Sequence, residues 1–228
     1  MNITYHGHSC VQLESGGKSV VIDPFLSGNP LAVTKPEDIR CDVILLTHGH
    51  SDHILDAETI ARKNGATVVA VFELAAYFEG KGLKTIGMNI GGTADLGFAR
   101  AKMIQAFHSS SVTLEDGTVL YAGMPAGFII RWDGKTVLHS GDTALFSDME
   151  MIGRRHDIDL AFLPIGDLFT MGPDDALQAA AWLRAKSVVP IHYDTFPPIR
   201  QDAKAFAERL QAQGQRGVVL KPGESVAL

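Results

Sequence analysis

The feature that most constrains the fold is the stretch from 43 to 53, Val-Ile-Leu-Leu-Thr-His-Gly-His-Ser-Asp-His. An apolar run of strand length, bounded by polar residues and glycine, suits a strand covered on both faces, as in sheets flanked by helices. Helical spacing resumes after it, so the polar loop lies at a strand-to-helix junction. Alternate residues of an extended segment point the same way, so His48 and His50 can converge on one ion. Asp52 and His53 then open the helix and face a second position. Imidazole and carboxylate are usual ligands of borderline and hard divalent ions, and four such side chains in six residues point to a metal-binding loop rather than a polar turn.

A metal loop needs distant partners, and the chain supplies them. His108, Asp142 and His192 each follow an apolar strand-like run: Met103 to Phe107, Thr136 to Leu138, and Val188 to Ile191. Ligands at the ends of several strands can meet at one edge of a sheet. The Thr-His-Gly-His-Ser-Asp-His run resembles the His-x-His-x-Asp-His signature of metallo-β-lactamase-fold hydrolases. His108, Asp142 within Ser-Gly-Asp-Thr, and His192 follow the order of that superfamily. Within it, the chain is similar to a small group of metal-dependent hydrolases related to ascorbate-phosphate lactonases. That similarity runs through Gly7-His8-Ser9-Cys10, Asp23-Pro24-Phe25, His108-Ser109-Ser110, Pro164-Ile165-Gly166 and Phe169-Thr170-Met171-Gly172-Pro173. It covers essentially the whole chain.

The resemblance implies an αβ/βα four-layer sandwich, two packed mixed sheets with helices outside. It also implies two metal positions: His48, His50 and His108 hold one ion, Asp52, His53 and His192 hold the other, and Asp142 bridges them. Asp23 would pack beneath the loop as an acceptor for a ligand, with capping of its own turn as the alternative.

Periodicity alone gives an α/β protein with a mixed sheet. Residues 2 to 14 and 18 to 23 are expected as strands around a Gly16-Gly17 turn, followed by a loop from Phe25 to Pro36. Ile54, Ala57 and Ala61 share a helical face that stops at Asn64-Gly65, and Ala66 to Val71 is the next strand. A short helix at Glu73 to Phe78 and short strands between Lys84 and Arg100 follow. Asp133-Gly134 joins the strands Gly127 to Trp132 and Lys135 to Ser140 in a hairpin. Leu145, Met149 and Ile152 form a helical stripe ended by Gly153, ahead of a strand at Leu160 to Ile165. Pro173 with Asp174 and Asp175 starts another helix. Ile199, Ala203, Phe206 and Leu210 mark the last helix, stopped by Gly214, and Val218 to Leu220 and Ser225 to Leu228 close the sheet. The halves are similar and no linker separates them, so one domain over 1–228 is expected.

With 46% hydrophobic and 20% charged residues the chain is of ordinary globular composition, and a formal charge of −6 argues against broad nucleic-acid or anionic-membrane binding. The first residues have no basic region followed by an apolar run, and no stretch approaches membrane-spanning length. A cytoplasmic protein acting on a small molecule is expected, with a homo-oligomer compatible. Cys10 and Cys41 are expected as small buried thiols. His8 is expected near the pocket mouth as a candidate substrate contact, His6 in a structural or surface role, His139 in the core and His156 at the surface.

Two ions about 3.5 to 4 Å apart can share a water and lower its pKa from 15.7 toward about 7, making hydroxide available at neutral pH. No protein nucleophile is then needed, and no Gly-x-Ser-x-Gly elbow is present. Asp52 would orient or deprotonate the water, and with His53 it is the catalytic candidate. Nitrogen and oxygen ligands suit Zn, Mn, Fe or Ni; zinc is expected, with manganese as the alternative. The 169–172 and 193–197 stretches flank the last ligand strand and should form a substrate wall, with Phe169, Thr170 and Tyr193 as candidate contacts. The expected function is a dinuclear metal-dependent hydrolase of a small ester, lactone or phosphodiester. The alternatives are a nuclease of the same superfamily, although the chain lacks an inserted clamp domain and a basic tail, and a non-hydrolytic metal-binding or redox protein. A diiron relative of the redox kind would be expected to carry Glu where His50 stands and to need a flavin partner domain.

Overall fold

The β-branched and apolar runs of the first half assemble into one sheet in the computed structural model, which describes residues 1 to 228. Strands β1 (Asn2–Gly7), β2 (Cys10–Ser15) and β3 (Lys18–Ile22) pair antiparallel. β4 (Val43–Leu45), β5 (Thr67–Val71) and β6 (Thr85–Met88) extend the sheet in parallel from β3. Helices α1 (Ser51–Ile54), α2 (Ala57–Asn64) and α3 (Phe72–Gly80) lie between these strands in the chain.

The second sheet begins with β7 (Thr93–Asp95) and β8 (Arg100–Gln105). A separate hairpin of β9 (Ser111–Thr113) and β10 (Val119–Tyr121) intervenes, and β11 (Ala126–Trp132), β12 (Lys135–His139), β13 (Leu160–Pro164), β14 (Ser187–Ile191) and β15 (Arg216–Gly217) complete the sheet. α4 (Asp148–Arg155), α5 (Pro173–Leu183) and α6 (Ala203–Ala212) connect its later strands, and β16 (Ser225–Ala227) returns to pair with β1. Each sheet has seven strands, antiparallel in one half and parallel in the other. The result is two mixed sheets packed together with helices outside, as the resemblance implies.

Alternation along the strands decides which sheet face each residue fills. Phe128 and Ile130 of β11, with Leu160 and Phe162 of β13, join Ile3, Leu13 and Leu45 of the first sheet in the core between the sheets. Their neighbours Ile129, Ala161 and Leu163 face the other way and pack with Met149, Ala176, Leu177, Phe206 and Leu210 of the covering helices. Cys10 and Cys41 are buried free thiols. No helix is long and apolar enough to cross a membrane.

Several local expectations change. The 2 to 14 segment is two strands, because the chain reverses at His8-Ser9, with Gly7 paired to Cys10 and His8 at φ +55°. The helical face from Ile54 to Ala61 is broken between α1 and α2, since the Asp56 carboxylate accepts the Leu26 and Ser27 N–H groups (2.6 and 2.9 Å) instead of capping α2. Gly153 lies inside α4 rather than ending it: a Cβ there would sit 2.1 Å from the Trp182 carbonyl oxygen, so glycine permits close packing of α4 on α5. Pro197–Ile199 is a 3₁₀ turn, and α6 starts only at Ala203, where Asp202 accepts the N–H groups of Lys204 and Ala205. The strand expected at Val218 to Leu220 is instead the short β15, and the β9–β10 hairpin was not foreseen.

Candidate metal centre

β3 and β4 run parallel, and β8, β12 and β14 share one direction in the second sheet, so the ends of all five strands come to one edge. Beyond β4, the Thr47 carbonyl accepts the Ala126 N–H (2.9 Å), which ties the loop to the second sheet. His50 is the residue before α1 and its ring does not cap the helix, leaving it free to face inward. Gly49 passes tightly under the β9–β10 hairpin: a Cβ there would meet Ala122 Cβ at 2.6 Å, and its N–H donates to Ser110 Oγ at 3.1 Å.

The structure brings all seven sequence-assigned ligands together. Ligand atoms of His48, His50 and His108 lie within 4.8 Å of one another, as do those of His8, Asp52, His53 and His192. Asp142 Oδ2 stands between the groups, 3.7 Å from His108 Nε2, 3.3 Å from His53 Nε2 and 3.0 Å from His192 Nε2.

Asp23 lies beneath the loop, wholly buried. Its Oδ1 accepts the Thr47 N–H (2.8 Å), and its Oδ2 accepts the Thr47 hydroxyl (2.6 Å) and the His53 Nδ1–H (2.8 Å). The His48 Nδ1–H donates in turn to Thr47 Oγ1 (2.9 Å). This network puts the protons of His48 and His53 on Nδ1 and leaves both Nε2 lone pairs facing the centre. His53 Nε2 and Asp142 Oδ1 are buried without a hydrogen-bond partner, and His48 Nε2 faces His50 Nδ1 at 3.0 Å. Buried lone pairs aimed at one another are satisfied by a cation, so this donor set fits divalent metal ions.

The electrostatics agree with that fit. Burial alone raises the Asp142 carboxyl, but the His192 and His53 charges outweigh it and hold it well below the usual carboxylate range. Burial lowers the His192 imidazole, yet Asp142, aided by Asp52, brings it up to about 9. Burial and then the neighbouring His53 push His48 well below its ordinary value.

The substrate contacts are revised. His8 is not at a pocket mouth; its side chain is fully buried, with Nε2 3.0 Å from Asp52 Oδ2 and Nδ1 2.9 Å from Thr195 Oγ1. Tyr193 lines a cleft with Arg200, Asp202 and Lys204 and packs against the helix-covered core, whereas Thr195 and Phe196, further along the same turn, lie against His8. Thr170 donates its hydroxyl to the Met171 carbonyl within its own turn (3.2 Å). Phe169 is 55% exposed beside Leu168 at 67%, on a turn held by a Met171 N–H bond to the Thr143 carbonyl (2.9 Å). Thr143 Oγ1 also accepts the Phe107 N–H (3.0 Å), so Phe107, 54% exposed, joins this apolar rim beside His108 and Asp142.

The remaining histidines are satisfied elsewhere. His6 is buried between Thr34 and Gln12, and His139 donates to the Ser9 carbonyl and accepts the Gly141 N–H. His156, half-buried, accepts from Arg131. Residue types alone did not single out Thr47 or Thr195, whose roles depend on backbone turns at Asp23 and His192.

A β-lactamase superfamily domain matches residues 2–192. A UPF0173 metal-dependent hydrolase of Geobacillus thermodenitrificans is 55% identical over 228 residues, 100% of each chain. The UPF0173 metal-dependent hydrolase YtkL of Bacillus subtilis is 54% identical over 229 residues, again 100% of each chain. Among solved structures, Igni18, a metallo hydrolase from the archaeon Ignicoccus hospitalis, superposes with a TM-score of 0.90 at 40% identity, covering 99% of this chain and 97% of that one.

Proposed function

The chain belongs to the β-lactamase superfamily and, within it, to the UPF0173 metal-dependent hydrolases, and from that premise we propose that it hydrolyses a small ester or lactone at a dinuclear centre. The observation that carries the dinuclear reading is the position of Asp142, whose Oδ2 lies within 3.7 Å of imidazole nitrogens from both ligand groups. Two bound ions would activate a shared water near neutral pH and polarise the scissile carbonyl. Five imidazoles against two carboxylates favour zinc, with manganese, iron or nickel as alternatives.

The chain's own residues divide the remaining work. Asp52 is the open carboxylate of the centre, with a side chain 27% exposed against 2% for Asp142, so it is the one placed to orient an entering water and take its proton. His53, held through Nδ1 by Asp23, keeps its Nε2 fixed beside Asp52 and Asp142. Phe107, Leu168 and Phe169 offer apolar surface to an uncharged acyl group, which favours a carboxylic ester or lactone over a phosphodiester. The −6 charge favours a small-molecule substrate over a nucleic acid, and the two free thiols suit a cytoplasmic setting.

The test is a hydrolysis screen of zinc- and manganese-loaded protein against lactones, carboxylic esters, phosphodiesters, phosphomonoesters and β-lactams. Turnover concentrated on lactones or esters is expected. Turnover of phosphodiesters alone, or of nothing by fully loaded protein, would contradict the proposal.

A further inference from the structure

Among the four histidines outside the ligand set, His8 alone reaches the centre. Its ring packs on His192 with centroids 4.1 Å apart, and edge-on against Phe25 and Phe196 at 5.5 and 5.7 Å. Its backbone is held just as firmly: at φ +55°, its carbonyl accepts the His192 N–H (2.9 Å) and the Tyr5 hydroxyl (3.1 Å). Residues kept in this region persist where surrounding contacts over-determine them.

The hydrogen bonds fix what the ring can do. An ionised Asp52 only accepts, so His8 Nε2 must carry the proton across the 3.0 Å contact, and Nδ1 then accepts the Thr195 hydroxyl. That tautomer leaves His8 without a free lone pair for a metal, although its nitrogen clusters with Asp52, His53 and His192. Asp52 sits in a four-residue helix, partly open to solvent, and its shortest side-chain contact is His8 Nε2 at 3.0 Å, against 3.8 Å to His192 Nε2. Without that donor the carboxylate is free to turn away from His53 and His192.

We infer that His8 is a positioning residue, set by Thr195, whose Nε2–H holds the Asp52 carboxylate toward the second metal position without itself ligating the ion. The inference rests on the reading that Asp52, His53 and His192 hold an ion. Loss of an outer hydrogen bond to a ligand typically weakens metal binding about 10- to 100-fold.

The two amide substitutions separate the halves of the ring. His8→Gln places a donor where Nε2 was, whereas His8→Asn reaches only the Nδ1 side and is better tolerated at positive φ. Co(II) titration of metal-free protein, followed by visible absorption and by metal counting, reads each ion separately. Wild type and His8→Gln should take up two ions with similar spectra. His8→Asn should keep the first and bind the second about 10- to 100-fold more weakly. If His8→Asn does not fold, Thr195→Val carries the test, with a weaker second ion expected. Unchanged second-ion affinity in His8→Asn, or in Thr195→Val where that variant stands in, overturns the inference. A second ion lost as fully in His8→Gln as in His8→Asn also overturns it, since the ring nitrogen would then be a ligand. A wild-type chain saturating at one ion overturns the dinuclear reading itself, and the inference with it.

Discussion

Asp23 accepts three hydrogen bonds in a fully buried place, two from Thr47 and one from His53, and so links loop geometry to ligand orientation. Asp23→Ala strands three donors, each costing about 1 to 3 kcal/mol when buried and unpaired. We expect thermal unfolding several degrees lower and weakened metal binding; unchanged values for both would remove Asp23 from the centre. Asp142→Ala should abolish paired binding, whereas His139→Ala, which loses bonds to Ser9 and Gly141, should lower stability and leave both ions bound. Equal metal loss in the two variants would count against the bridging assignment. At this scale the clustering of the seven candidate ligands was legible because imidazole and carboxylate at strand ends have few other uses. The surroundings of Tyr193 and His8 were not legible, since Tyr193 packs on the helix-covered core and His8 is buried against Asp52 and Thr195, contacts made across the chain at left-handed turns that carry no glycine to signal them.

The β9–β10 hairpin shows how an element without obvious chemistry supports the site. Gly49 runs 2.6 Å, at the Cβ position, from Ala122 and bonds to Ser110, so the hairpin presses on the loop between His48 and His50. Gly49→Ala should therefore cost about 1 to 3 kcal/mol by overpacking and weaken binding at His48, His50 and His108. Denaturant unfolding with metal titration checks it, and wild-type values in both would contradict the role given to the hairpin. Elements with strong local signals were legible: the 43–46 run before the metal loop, and the turns at Gly16-Gly17 and Asp133-Gly134. The α1–α2 break was not, since Asp56 serves Leu26 and Ser27, thirty and twenty-nine residues away in the chain. Gly153 misled because a helix-packing glycine and a helix-ending glycine look alike without the partner helix.

For the whole molecule, periodicity identified strands and helices but not their pairing order, and the two-sheet sandwich was legible only through the resemblance. Packing the sheets carries the candidate ligands that follow β4, β8, β12 and β14 to one edge, where opposite charges accumulate. After chelation, the raised His192 pKa of about 9, and the raised His53 value, stabilise the fold fully below the ordinary histidine range. That contribution is lost as pH rises from about 6.5 through about 9. Chelated protein should thus melt at lower temperature at the alkaline end, while zinc affinity rises over the same interval because ligands bind deprotonated. Thermal melts and zinc titrations at both ends check the opposed signs; a chelated chain more stable at the alkaline end would contradict them. The most direct test of the proposed dinuclear centre is an anomalous difference map from zinc-loaded crystals. Two peaks are expected, one among His48, His50 and His108 and one among Asp52, His53 and His192, with Asp142 between them. A single peak at saturation, or a second peak away from these side chains, would contradict it.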